Sequence, residues 1–322
     1  MKICSLLPSG TEIAFALGLG DQVVGVTDIC DYPPEAASRP AVSRSLVDPS
    51  VLSSDEVERR MKELAAEGRP THEVDTGWLE RERPDLVLTQ DVCALCDVDA
   101  SQVREAVAGC SIHPNVVVLS PRTISGIFAS IREVGQAAGV SARAESLVSD
   151  LQARLYRTTA AAARAPRKPE VFSLEGVNPL VVGGHWIPEM KLLAGGRDRW
   201  FSPGCPAARL EWSQVLEADP EVLLLALCSS DLARGLREAG WLAGQDGFWD
   251  LRAVGSGEVY MIEHVYFSRP GPRVIDGIEI LAQLMHPDLF SGLVPPETVL
   301  KLEPDPSPGA PGDLAARFRP YG

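Results

Sequence analysis

The chain has 322 residues, of which 45% are hydrophobic and 23% are charged, and its formal net charge is −14. This length suits a globular protein with two α/β domains. The negative charge argues against nucleic acid and anionic lipid as partners, because clustered Lys and Arg bind both. No stretch approaches the roughly 18 apolar residues of a membrane-spanning helix, so we do not expect a membrane-embedded protein.

The start of the sequence bears on location. Met1–Pro8 runs into a strand-like segment without the long apolar region and cleavage site of a signal peptide. Seven cysteines are an odd number, and their spacing does not suggest a disulfide framework. These features predict a cytoplasmic protein with reduced thiols; the alternative is a periplasmic or extracellular protein whose true start lies upstream.

The first half of the chain alternates strand and helix patterns. Ser9 or Thr11 is expected near the N-cap of the first helix. Strands separated by helices predict βαβ units and a mostly parallel sheet. The predicted strands are 2–7, 23–29, 86–89 and 115–119, and the predicted helices are 10–19, 53–68 and 101–108.

From 124 to 163 no strand pattern occurs, and helix formers dominate 142–163. A second alternating set follows this region, with predicted strands at 170–174, 180–182, 221–227 and 258–262. The sequence therefore predicts an α/β fold of two lobes with mainly parallel central sheets, joined by a long connecting helix. The predicted parts are an N-terminal lobe at 1–137, the connecting helix at 138–164, a C-terminal lobe at 165–290, and at 291–322 a proline-rich tail that is poorly ordered or straps the surface.

Ligands of open α/β sheets bind beyond the carboxyl ends of the strands. The loops that follow the predicted strands are rich in Cys, His and aromatic residues, which is typical of a ligand cleft. The candidate ligand-binding residues in these loops are Ser9, Thr11, Cys30, Tyr32, Cys93, Cys96, His185, Trp186, Asp231, His264, Tyr266 and Arg269.

Cys93 and Cys96 are spaced so that they could bind one zinc or iron ion or form a redox disulfide. A structural metal site normally needs four ligands, and the chain has no second pair of this kind. Reduced thiols that line a loop are the third interpretation, and all three stay open. No motif of a catalytic nucleophile occurs, so we do not expect an enzyme.

His185 follows two glycines, which would let a ligand approach the backbone closely. Its imidazole, like that of His264, could ligate the metal of a corrinoid or haem or bind its amide groups; the alternative for His185 is a helix cap. Arg269 could reach a ligand carboxylate or phosphate.

The aromatic candidates suggest a flat ligand. Tyr32, Trp186 and Tyr266 could grip the face of a macrocycle, with polar groups at its edge.

Several motifs together resemble one family. Ser5–Glu12 (SLLPSGTE), followed by Ala16–Gly20 (ALGLG), resembles the opening of the class III periplasmic binding proteins, which deliver cobalamin, haem and ferric siderophores to ABC importers. Cys30–Pro33 (CDYP), Gly184–Trp186 (GHW) and Phe267–Arg273 (FSRPGPR) are similar to the cobalamin-binding-protein-like subgroup.

The resemblance covers about residues 1–288. It implies two lobes joined by one long helix, with a shallow cleft that changes little on binding. It further implies a monomeric binding protein, not an enzyme, that holds a corrinoid between its lobes and has an ABC importer permease as partner. The alternatives are a ferric siderophore or haem binding protein, and a cytoplasmic metalloprotein with zinc or iron in the cysteine- and histidine-lined cleft, held by Cys93 and Cys96.

Overall fold

The computed structural model describes residues 1–48, 51–92, 98–304 and 314–321. The chain divides into two compact units, neither of which is continuous in sequence. Six segments alternate between the units, so the chain passes from one to the other five times. The predicted domain bounds stay a prediction, because compactness alone does not show what folds independently. Unit 1 comprises Met1–Asp48, Glu56–Gln152 and Arg269–Pro272; unit 2 comprises Pro49–Asp55, Ala153–Ser268 and Arg273–Gly322.

Unit 1 is built on a six-stranded sheet with the order β4-β3-β2-β1-β5-β6. Neighbouring strands are parallel except β3 and β4. The elements are β1 (Ile3–Ser5), α1 (Pro8–Ala16), β2 (Val23–Thr27), β3 (Ala41–Ser45), α2 (Ser54–Ala66), β4 (His72–Val74), α3 (Thr76–Glu82), β5 (Leu86–Gln90), α4 (Ala100–Ala108), β6 (Asn115–Leu119) and α5 (Ile124–Ala137).

The centre of this sheet places the loops. Ile3 of β1 lies opposite Val23 of β2 on one side and Leu86 of β5 on the other. β5 is buried along its whole length, as expected for a strand covered on both faces. Because β2, β1 and β5 are parallel neighbours, the loops that follow them leave from one edge of the sheet.

The first helix begins earlier than predicted. It starts at Pro8, and the N-cap residue Leu7 makes no side-chain cap bond. Proline suits the first helical position because its missing N–H would have no partner there. Ser9 and Thr11 therefore do not cap the helix but lie in its first turn, where both are buried.

Unit 2 has a seven-stranded sheet with the order β13-β12-β11-β10-β7-β8-β9. The three central strands are parallel, and the strands at both sides are antiparallel. After the helix α6 (Ser141–Ala162), the elements are β7 (Val171–Val177), β8 (Leu180–Val182), α7 (Ile187–Leu193), β9 (Ala208–Arg209), α8 (Trp212–Ala218), β10 (Val222–Leu225), α9 (Leu232–Ala243), α10 (Arg252–Gly255), β11 (Val259–Ile262), α11 (Val274–Met285), β12 (Val299–Leu302) and β13 (Phe318–Pro320).

Two short segments near the end of the chain are strands. β12 pairs with β11, and β13 pairs with β12, so Val299–Leu302 and Phe318–Pro320 extend the sheet of unit 2. Val299, Leu302 and Phe318 are buried there. The sequence of 291–322 does not predict these strands, because it contains seven prolines and the strands are only four and three residues long.

The helix α6 is the longest of the described helices, at 22 residues. The helix formers that dominate 142–163 predict this helix, and its sequence mixes Arg and Glu with apolar residues. Across the described ranges, no helix is both long and apolar enough to cross a membrane.

A buried ion pair fixes α7 in unit 2. Lys191 is 1% exposed and pairs with Asp198, and its Nζ donates to Ser173 Oγ of β7 at 3.0 Å. Asp198 also accepts from the backbone N–H groups of Trp200 and Phe201 at 3.0 and 2.9 Å. Burial lowers the pKa of Lys191, and the charge of Asp198 opposes that shift.

Gly184 lies where two backbone segments meet in unit 2. A β-carbon at this position would overlap the backbone of Cys205, Pro206 and Ala207. The two glycines before His185 predict a close approach by a ligand. For Gly184, the close approach is made by the chain itself.

We expect Gly184→Ala to lower the free energy of unfolding by about 1–3 kcal/mol, because the added methyl group forces the two backbones apart. Urea unfolding followed by tryptophan fluorescence measures the change. The matched control is Gly240→Ala in α9, where nothing lies within 4 Å of the new methyl group. The control should be neutral or stabilise by up to about 1 kcal/mol. Equal stability of Gly184→Ala and wild type would contradict this packing.

We expect the stability of the protein to depend on pH through His286, which lies in unit 2. The side chain is buried, and its Nε2–H donates to the Gly195 carbonyl at 3.3 Å. Burial lowers the pKa of His286 from 6.5. The unfolded chain therefore takes up this proton at higher pH than the folded chain, and stability falls as the pH drops below 6.5.

We expect His286→Gln to reduce the loss of melting temperature between about pH 7.5 and about pH 5.5, because glutamine does not titrate. The exposed His113 supplies the control, and His113→Gln should keep the wild-type loss. A wild-type loss in His286→Gln as well would assign the acid sensitivity to other groups.

Candidate ligand-binding loops

The carboxyl edge of the unit 1 sheet gathers several predicted residues. The first turn of α1, which follows β1, carries Ser9 and Thr11, and the neighbouring loop after β2 carries Cys30 and Tyr32. The chain after β5 leads to Cys93 and Cys96, which lie outside the described residues. The predicted metal or redox role of these two cysteines stays a prediction.

Thr11 and Cys30 touch each other beneath this edge. Thr11 Oγ1 lies 3.1 Å from Cys30 Sγ and donates to the Leu7 carbonyl at 3.3 Å. Thr11 is 0% and Cys30 is 4% exposed, whereas the side chain of Tyr32 is well exposed. In unit 1, Tyr32 is therefore the aromatic candidate whose side chain is exposed to solvent. Thr11 and Cys30 are buried and support its loop.

Arg269 also belongs to unit 1, although it follows the last central strand of unit 2 in sequence. Its guanidinium forms a two-pronged ion pair with Asp31, lies 3.5 Å from Glu12 Oε1, and donates to the Ile29 carbonyl at 3.3 Å. Burial opposes the charge, but the hydrogen bond to Asp31 and the two carboxylates outweigh it and raise the pKa of Arg269. The cation is permanent, and the protein itself balances it.

In unit 2, the loops after β10 and β11 lie side by side. The Asp231 side chain caps α9 by accepting from the backbone N–H of Arg234 at 2.7 Å. The backbone N–H of Leu232, the residue after Asp231, donates to Glu263 Oε1 at 3.3 Å. Asp231 therefore caps α9, and its neighbour in the chain contacts the loop that carries His264.

Trp186 follows a strand that runs against its neighbours. β8 is antiparallel to β7, and its last residue, Val182, lies opposite Leu174 of β7, which in turn lies opposite Leu225, the last residue of β10. His185, between β8 and α7, has a φ of 54°. His185 is held by two backbone hydrogen bonds, its N–H to Cys205 at 2.5 Å and its carbonyl from Gly204 at 2.8 Å.

The indole of Trp186 contacts the loop after β11. Its Nε1–H donates to the Phe267 carbonyl at 2.7 Å, and the side chain is 5% exposed. The ring of His185 stacks on it with centroids 5.8 Å apart. Trp186, not His185, is the N-cap residue of α7, so His185 is not the helix cap of the alternative interpretation.

His264 and Tyr266 form a short 3₁₀ turn directly after β11, and both are half-buried. The guanidinium carbon of Arg273 lies 5.7 Å from the centre of the Tyr266 ring, which is within range of a cation–π contact. Unit 2 therefore brings together His185, Trp186, Asp231, His264 and Tyr266 near one edge.

The described ranges hold no group of three or more His, Cys, Asp or Glu side chains that could bind a metal ion. A groove of about 890 Å³ in unit 1 lies beside β3, β4 and α4, away from the predicted residues. Arg44 and Glu73, which line it, already pair at 2.6 Å. The loops remain the better candidate site.

Three acidic residues of these loops, Glu12, Asp31 and Glu263, are not among the residues predicted from the sequence. Asp31 lies within CDYP and Glu12 within SLLPSGTE, but nothing in the sequence pairs them with Arg269. A signal existed for Glu12, because it is the one charged residue of α1, and a buried carboxylate needs a cation as partner. Glu263 carried no such signal.

The proteins that this chain resembles include substrate-binding, vitamin B12-binding and haem-binding proteins. The chain is 27% identical over 301 residues to an uncharacterised ABC transporter substrate-binding lipoprotein, YvrC, of Bacillus subtilis, covering 90% of this chain and 81% of the relative. It is 26% identical over 283 residues to a vitamin B12-binding protein of Vibrio cholerae, covering 86% of each. A periplasmic haem-binding protein from Pseudomonas aeruginosa shares the fold, with a TM-score of 0.67, 20% identity and coverage of 90% of this chain and 94% of that structure.

The predicted cytoplasmic location is wrong. One relative is a lipoprotein and the structural neighbour is periplasmic, so the proteins that this chain resembles work outside the cytoplasm. The prediction relied on the first residues of the sequence, and these do not by themselves fix the compartment.

The family and the fold are as the motifs predicted. A family model described as "Periplasmic binding protein" matches residues 3–266, which is most of the chain and includes strands from both sheets. The two sheets with parallel central strands agree with the structural neighbour. This chain belongs to the periplasmic binding protein family, a family of substrate-binding proteins.

Proposed function

We propose that the protein binds a corrinoid of the cobalamin type with the loops at the carboxyl edges of its sheets, as a non-catalytic receptor. The observation that carries this proposal is the alignment to a vitamin B12-binding protein over 86% of both chains. The haem-binding neighbour is only 20% identical, which supports the fold rather than the ligand.

The charge of the loops supports a ligand decorated with amides over one with carboxylates. Arg269 is balanced by Asp31 and Glu12, so it does not offer a cation to a propionate. Cobalamin carries amides around its ring, and these can bind backbone groups and acidic side chains such as Glu263. Tyr32, with its exposed ring, suits the face of the macrocycle.

Haem is the second candidate, because His185 and His264 lie in the unit 2 loops and imidazole is a common ligand of haem iron. A metal centre at Cys93 and Cys96 is a separate prediction, with zinc or iron as the ion. Metal analysis of the purified protein decides it.

The proposed partner is the permease of an ABC importer. The lipoprotein relative is named as the substrate-binding component of such a transporter, and it aligns with 90% of this chain. We propose that this protein works as a monomer that delivers its ligand to the permease.

The test is calorimetric titration of the protein with cyanocobalamin and, separately, with haemin. We expect one-to-one binding of cyanocobalamin at micromolar affinity or tighter. Tyr32→Ala should weaken it by about 10-fold, the value of one aromatic contact of about 1.4 kcal/mol. The control is Tyr156→Ala, because Tyr156 is 75% exposed on α6 and lies in neither group of loops.

Haemin binding without cyanocobalamin binding would replace the corrinoid with haem. The absence of heat with both ligands would refute the proposed function. An equal loss in Tyr32→Ala and Tyr156→Ala would remove Tyr32 from the ligand contacts.

A further inference from the structure

Arg269 is buried and already fully engaged within unit 1. Its side chain is 8% exposed, and both terminal nitrogens bind the two carboxylate oxygens of Asp31, one of them at 3.1 Å. One of these nitrogens also donates to the Ile29 carbonyl. The three residues form one connection between the segment Arg269–Pro272 and the loop after β2.

Glu12 gives this connection a second anchor. Its carboxylate is 2% exposed and lies 3.5 Å from the Arg269 guanidinium. Gly271 lies beside the same helix, since a β-carbon there would be 3.7 Å from Ser9 Cα. Arg269 thus ties the loop after β2 to the first turns of α1, and removing the cation would leave Glu12 buried without its charge partner.

The loop held in this way carries Cys30 and Tyr32. Asp31 stands between them with its side chain 61% exposed, so only the inner side of the loop is fixed by Arg269. Cys30 makes the second fixed point, through its contact with Thr11. The exposed Tyr32 follows directly, and its position depends on both points.

We infer that Arg269 is a positioning residue, which holds the loop Ile29–Pro33 through Asp31 so that Tyr32 is preformed for the ligand. This inference rests on the proposed function for the identity of the ligand. The alternative is that Arg269 touches the ligand itself, as its place in the sequence suggests. The bidentate pair and the low exposure leave the guanidinium little surface for such a contact.

The two roles make opposite predictions for Asp31→Asn. A positioning residue loses its hold on the loop, so binding of cyanocobalamin should weaken by about 10-fold, as expected when the competent loop conformation falls to about a tenth of the population. A direct contact would be released from its partner, and binding would stay equal or become tighter. Calorimetric titration of wild type and Asp31→Asn measures the difference.

The variants of Arg269 complete the test. Arg269→Lys keeps a charge near Glu12 but cannot form the two-pronged pair, so it should fold and bind about 3-fold to 10-fold more weakly. Arg269→Lys combined with Asp31→Asn should lose no more affinity than the weaker-binding of the two single variants, because the lysine keeps the charge beside Glu12 and both changes act on the Arg269–Asp31 pair. Additive losses in the double variant would overturn the inference, as would wild-type or tighter binding by Asp31→Asn.

A measurement without ligand separates this inference from the proposed function. Backbone hydrogen exchange in 28–33 should become faster in Arg269→Lys and Asp31→Asn, and stay at the wild-type rate in the control Arg132→Gln. Arg132 also forms an arginine–glutamate pair in unit 1, with Glu145 at 2.9 Å, but on the helices α5 and α6. Unchanged exchange in the Arg269 and Asp31 variants would refute the positioning role, whereas a wild type that binds no cyanocobalamin would refute the proposed function.

Discussion

Parallel pairing of the central strands is the constraint on which both groups of loops depend. β1 pairs in parallel with β2 and β5, and β10 pairs in parallel with β7 and β11. Such strands end at the same edge, so each crossover delivers its following loop to that edge whatever the loop's own sequence. Within each unit, residues far apart in the chain thereby become neighbours without any direct attraction between them.

Buried charges then refine the positions that pairing provides. One ion pair, Lys191 with Asp198, holds α7, the helix whose N-cap residue is Trp186. A second cluster, in which Arg269 pairs with Asp31 and Glu12, holds the loop that carries Tyr32. A buried ion is costly unless its partner sits in one geometry, so these pairs contribute to a unique arrangement more than to stability. Burial lowers the pKa of Lys191, because the interior of the protein opposes such a charge.

The strands and helices of the parallel cores could be predicted because their signals are local. Leu86–Leu88 and Val222–Leu225 are continuous apolar runs, and α6 is a long run of helix formers. What escaped prediction depends on pairing. The direction of β8 cannot be told from three residues, and β12 and β13 gain their order only from the edge of an existing sheet.

The same limit applies to the candidate site. The rule that loops follow strand ends selects His185 and Trp186, yet β8 is antiparallel to its neighbour, and it ends at this edge only because Val182 lies level with Leu225, the last residue of β10. The motif around Arg269 was visible, but its partner Asp31 lies 238 residues away, and no local pattern could join them. Asp231 and Thr11 were selected as polar residues in the right loops, and the structure gives them a helix cap and a buried contact.

The division of the chain into interleaved segments limits how the two halves of the gene can recombine during evolution. Unit 1 takes Arg269–Pro272 from the far end of the sequence, and unit 2 takes Pro49–Asp55 from the near end. A gene cut within α6 would separate Glu12 and Asp31 from their cation, so neither half encodes a complete unit. Shuffling of halves between relatives would have to conserve both sides of that contact, which ties the evolution of two distant stretches of sequence together.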